Sequence, residues 1–88
     1  MRGEAGFNLF PPEGILSMDV SVAERRTPQP AVDLQVYLND RLVDQTLLKG
    51  DKKRLKYDWH RPQLVFVELV ATFRQTGKPA NLIIRLGR

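Results

Sequence analysis

The stretch Val32-Asp33-Leu34-Gln35-Val36-Tyr37-Leu38-Asn39-Asp40-Arg41-Leu42-Val43 decides the fold. Val32, Leu34, Val36 and Leu38 occupy every second position, with Asp33, Gln35, Tyr37 and Asn39 between them. Successive side chains of a strand point to opposite faces, so this period of two predicts a strand with one face on a core. Asn39-Asp40 follows, and both residue types tolerate the positive φ that a tight hairpin turn demands. The chain then returns from Arg41 to Leu48. Its apolar residues, Leu42, Val43, Leu47 and Leu48, do not alternate cleanly, which predicts an edge strand or a bulge.

The same rule extends outward from this hairpin. In Leu16-Ser17-Met18-Asp19-Val20-Ser21-Val22 every even position is apolar. In Arg54-Leu55-Lys56-Tyr57-Asp58-Trp59 the odd positions are apolar and the even ones charged. Leu64 to Arg74 is rich in Val and Phe and apolar on both faces, as a central strand is. Leu82-Ile83-Ile84-Arg85-Leu86 closes the set. Turn signals separate these runs: Glu24 to Pro30, Lys49 to Lys53, His60-Arg61-Pro62-Gln63, and Gln75-Thr76-Gly77-Lys78-Pro79. No run shows an apolar period of 3.6. The pattern predicts an all-β, antiparallel sandwich of about seven short strands over residues 15–88. Leu34, Val36, Trp59, Val67, Leu69 and Ile84 are its expected core.

Residues 1–14 are expected to form an irregular N-terminal arm, because Pro11-Pro12-Glu13-Gly14 blocks regular pairing. Phe7, Leu9 and Phe10 just precede these prolines. Three large apolar side chains in a leader must either fold back on the domain or dock on a neighbour, and we mark them as a candidate docking arm.

Composition bounds the rest. A chain of 88 residues with 42% hydrophobic side chains is one small folded domain. It has no cysteine and a single histidine, so disulfides and a zinc centre are not expected to brace it. Lack of cysteine is compatible with a cytoplasmic or virion setting, while the compartment itself is not legible. No apolar run approaches the ~20 residues of a membrane span, and the start lacks a signal-peptide pattern. The formal net charge of +4 favours acidic partners.

The hairpin strand Leu34-Gln35-Val36-Tyr37-Leu38 with its Asn39-Asp40 turn, the Trp59 strand, and the long strand ending Ala71-Thr72-Phe73-Arg74-Gln75-Thr76-Gly77 together resemble the immunoglobulin-like and fibronectin type III-like modules of bacterial and phage proteins. The resemblance covers residues 15–86. The chain departs from the pattern in lacking paired cysteines and in carrying His60-Arg61-Pro62 where a glycine is common. The resemblance implies a sandwich fold and no particular activity.

No catalytic constellation is legible. A nucleophile–base pair needs a base near neutral pKa, and His60 stands alone in a turn. Asp19, Asp33, Asp44, Asp58 and Glu68 fall mostly on outward positions of strands. The glycines form no phosphate loop. No cofactor or metal is expected. The densest charge is Lys49, Lys52, Lys53, Arg54 and Lys56, with Arg61 nearby, a candidate basic contact surface. The alternative reading is a solvated loop and a lysine-protected edge strand. Tyr57 and Trp59 alternate with the cations and are expected to face the core, away from them. The function expected is a non-catalytic structural or protein-interaction module. It would self-associate or dock as a small subunit on a larger assembly, a virion decoration or tail component being one instance. Any nucleic-acid contact is expected to be weak and non-specific. The rival expectation is a nucleic-acid-binding β-barrel of OB type using the basic surface.

Overall fold

The computed structural model describes residues 3–10, 14–49, 52–59 and 64–87. These form seven strands: β1 (Gly3–Leu9), β2 (Ile15–Val22), β3 (Val32–Leu38), β4 (Arg41–Leu48), β5 (Lys53–Asp58), β6 (Val65–Phe73) and β7 (Leu82–Leu86). They pair as a four-stranded sheet, order β1-β6-β3-β4, and a three-stranded sheet, order β5-β2-β7. Every strand pairing is antiparallel. The two sheets enclose one core, so the chain is a small β-sandwich. Its sheets are separate in hydrogen bonding, unlike the closed barrel of the rival expectation.

The alternation legible in the sequence sets the facing. Leu16, Met18, Val20 and Val22 of β2 are buried, as are Val32, Leu34, Val36 and Leu38 of β3 and Val65, Val67, Leu69 and Ala71 of β6. Each fully buried Leu or Val contributes roughly 1.5–3 kcal/mol relative to exposure, so these three strands carry most of the stabilisation. Trp59 and Ile84 depart from the expected core, being only partly buried while packing against it. Ile84 lies on β7 and Trp59 just beyond β5; both strands have a neighbour on one side only, so part of each side chain stays in solvent.

The hairpin forms as expected. Asn39 and Asp40 have φ of 48° and 65°, the left-handed pair of a type I′ turn. Strand β4 is both an edge and bulged: Val36 pairs with Asp44 but Tyr37 with Leu42, leaving Val43 as the extra residue.

The leader expected to be irregular is instead a strand. Ala5, Phe7 and Leu9 alternate with Glu4, Gly6 and Asn8, and β1 pairs with β6 from Gly3–Ala71 to Leu9–Val65. The paired prolines follow this strand rather than interrupt it. Pro11-Pro12, Gly50-Asp51 and the turn at His60-Arg61-Pro62-Gln63 lie outside the described residues.

After β6 the chain turns at Gly77, whose φ of 71° suits glycine. It starts back along β6, with Phe73 N donating to Lys78 O (2.8 Å) and Ala80 N to Ala71 O (3.0 Å). Past Ala80 it leaves for the other sheet and pairs with β2 as β7. Strand β1 fills the β6 edge from Ala71 onward.

The molecule measures 42 × 23 × 16 Å. Four strands spaced about 4.8 Å apart, in sheets about 10 Å apart, account only for the shorter dimensions, so the long axis follows the strands. The connections therefore gather at two ends. The strand ends that the β1–β2, β3–β4 and β5–β6 connections join lie at one; those that the β2–β3, β4–β5 and β6–β7 connections join lie at the other.

Candidate interaction surfaces

The first end is apolar. Phe10, Ile15, Leu42, Val43 and Leu64 all sit at strand termini there and are 41–59% exposed. Among the described residues only two other large apolar side chains are as exposed, Ile83 and Leu86, both on β7. Register explains their place at this end. Leu9 pairs with Val65, which sets Phe10 beside Leu64 just beyond the paired ends. Trp59 N donates to Gly14 O (2.7 Å), which holds the end of β5 to the start of β2 near Ile15. A cleft of about 520 Å³ opens beside this end, lined by Leu38, Arg41, Val43, Tyr57 and Trp59 among others.

One flank of the sandwich, between β4 and β5, is closed by polar side chains. Tyr57 Oη donates to Asp44 Oδ2 (2.8 Å), and Lys53 Nζ donates to Thr46 Oγ1 (2.8 Å). Asp44 reaches Tyr57 because the bulge at Val43 keeps it on the inner side, opposite Val36. Burial, then the Asp44 carboxylate, push the Tyr57 phenol well above its ordinary pKa. Facing the other way, the leader's side chains divide. Phe7 and Leu9 pack against the chain's own core, while Phe10 is exposed.

The second end is basic. Its three connections and adjoining strand ends carry Arg25, Arg26, Lys49, Lys52, Lys53, Arg74 and Lys78. Glu24 and Asp33 lie among them, and both are engaged. Asp33 accepts from Arg74 (Nη2–Oδ1 2.8 Å), and Glu24 accepts from the Asn81 amide (Nδ2–Oε1 2.8 Å) and Asn81 backbone N–H. Backbone bonds brace the loops against one another: Ala23 N donates to Asn81 O (2.8 Å) and Arg74 N to Ala31 O (3.0 Å). The Arg26 guanidinium lies 5.2 Å from the Phe73 ring centroid, over its face.

The candidate basic surface read from the sequence is split by this geometry. Lys49, Lys52 and Lys53 join the basic end. Arg54 and Lys56 lie on the outer face of the three-stranded sheet, where Arg54 makes a two-pronged bond to Asp19 (2.9 and 3.2 Å). The Arg54 guanidinium, aided by Lys52 and Arg85, holds the Asp19 carboxyl below the usual carboxylate range. Arg61 and His60 lie outside the described residues. Arg25, Arg26, Arg74 and Lys78 escaped the sequence reading because they come from loops far apart along the chain. Among the described residues no group of three or more His, Asp or Glu side chains is gathered as a metal site. Among the described residues no helix is long and apolar enough to cross a membrane.

Comparison with known proteins finds no matching family model, curated protein or solved structure.

Proposed function

We propose that the chain is a non-catalytic protein-interaction module of immunoglobulin-like type that docks, as a small subunit, onto a larger assembly through its apolar end. The observation that carries this reading is the gathering of Phe10, Ile15, Leu42, Val43 and Leu64 at one end of an elongated sandwich. An interface buries an apolar centre within a polar rim, and here Arg41 and Asp58 border such a centre. The immunoglobulin-like reading is supported by five strands, since β6-β3-β4 and β5-β2 lie side by side as the F-C-C′ and E-B strands of such a sandwich do. The first and last strands stand in exchanged positions, β1 on β6 and β7 on β2.

The test is retention of a partner by the tagged full chain isolated from its native cell. The wild type retains a stoichiometric protein partner, or self-associates in sedimentation. The double variant Leu42→Ser/Leu64→Ser loses at least tenfold of that binding while its thermal unfolding is unchanged. Equal retention and equal sedimentation of the two proteins overturn the reading.

A further inference from the structure

We infer that the basic end is a binding surface for the phosphate backbone of nucleic acid, recognised without regard to sequence. It is a different surface from the apolar end and stands independently of it.

Cations are dense at this end, where seven of the chain's fourteen Lys and Arg residues are described. They are Arg25, Arg26, Lys49, Lys52, Lys53, Arg74 and Lys78, and the acids Glu24 and Asp33 beside them are engaged within the chain. The acids do little to offset the free cations. Asp33 is committed to Arg74, and Glu24 to Asn81. Arg25, Arg26, Lys49, Lys52 and Lys78 are exposed and form no ion pair among the described residues. They sit on three connections, two of which are tied together by backbone bonds, so much of the array is held in place before any ligand arrives.

The chemistry around these cations selects the ligand class. A protein partner buries an apolar centre, and the described residues of this end offer a single exposed apolar side chain, Ile83, while Val22, Val32, Leu48, Phe73 and Ala80 are all buried. A membrane surface rewards several apolar side chains placed beside the cations, and only Ile83 stands near them, while Phe10, Ile15, Leu42, Val43 and Leu64 lie at the opposite end of a 42 Å molecule. A phosphate backbone needs only cations, because counterion release supplies the affinity. Base reading is not built in. Phe73 is the one aromatic ring described at this end; it is buried and covered by Arg26, so no ring is free to stack on a base. Backbone contact without base contact positions a duplex but carries no sequence information.

The experiment uses the full chain and a labelled 24-base-pair DNA duplex of arbitrary sequence, followed by fluorescence anisotropy. With five cations engaged, the slope of log K against log salt is about −4.5, and affinity falls about 500-fold between 50 and 200 mM NaCl. A second duplex of unrelated sequence binds equally. Arg25→Glu/Lys52→Glu abolishes binding at 50 mM NaCl, whereas Arg41→Glu/Lys56→Glu, with the same change in net charge, leaves it within about threefold. All four positions are exposed, and unchanged thermal unfolding confirms each fold. Three results overturn the inference. One is an absence of duplex binding at 50 mM NaCl. Another is equal loss in the two double variants, which reduces the effect to net charge. The third is a polyglutamate of matched charge competing as well as unlabelled duplex, which makes the surface a site for acidic polypeptide.

Discussion

Tyr57 shows how one residue couples an edge to the core. Its ring packs on the hydrophobic cluster while its hydroxyl crosses from β5 to Asp44 on β4, joining the two sheets along one flank. The unfolded phenol ionises near pH 10. Burial and the neighbouring carboxylate both disfavour the phenolate, so the folded pKa lies above the unfolded one. The stabilisation is then complete below about pH 10 and is lost as pH climbs through the folded value. Tyr57→Phe is expected to lower stability at pH 8 by about 1 kcal/mol, the worth of the hydrogen bond. It is also expected to flatten the decline between pH 10 and 11.5, measured by chemical denaturation. Parallel pH curves for the two proteins would refute the assignment.

Among elements, the β3–β4 hairpin is the most closely specified. Its turn is anchored to a third strand, since Asn39 N donates to Phe66 O (2.9 Å) and Asn39 Oδ1 accepts from Phe66 N (2.9 Å). Asn39 therefore does two things, tolerating positive φ and clamping β6. Asp40 does only the first and is exposed. Asp40→Gly relieves its left-handed strain and is expected to be neutral or to stabilise by up to about 1 kcal/mol, raising Tm by up to about 4–8 °C. Asn39→Gly, which keeps the turn but loses the clamp, is expected to lower Tm. If Asp40→Gly lowers Tm as far as Asn39→Gly does, Asp40 makes a contact beyond its φ. This hairpin, β2 and β6 were legible because alternation is local and a buried face enforces it. Strand β1 was not. Its odd positions, Gly3, Ala5, Phe7 and Leu9, do alternate, but glycine and alanine give a weak apolar signal, and two prolines follow closely. The basic end was half legible. Nearness along the chain grouped Lys49 to Lys56, yet strand alternation turns Arg54 and Lys56 away from Lys53. Topology supplies Arg25, Arg26 and Lys78 from connections that sequence proximity cannot associate.

For the whole molecule, the strand exchange at the two termini governs stability. Strand β1 has β6 as its only strand partner, and Phe7 and Leu9 help cover the core beside it. Removing residues 1–10 leaves the β6 edge unpaired from Val65 to Ala71 and takes away two half-buried side chains. Those side chains alone account for about 2–3 kcal/mol. The truncated chain is expected to unfold at least about 10 °C lower in a thermal melt. Unchanged Tm would mean that β1 does not complete the sandwich.

The pairing of β1 with β6 also has a temporal side. Its partners are separated by 65 − 9 = 56 to 71 − 3 = 68 residues along the chain. A ribosome adding about 5–20 residues per second makes β1 roughly 3–14 s before the residues it pairs with. During that interval the segment Gly3–Leu9, with Phe7 and Leu9, has no ladder to join. Neither sheet can be completed until the last third of the chain has emerged, since β6 is central to one and β7 closes the other. The sandwich thus closes only once β7 has been made, and until then its first strand is an exposed edge-seeking segment of the kind that chaperones hold.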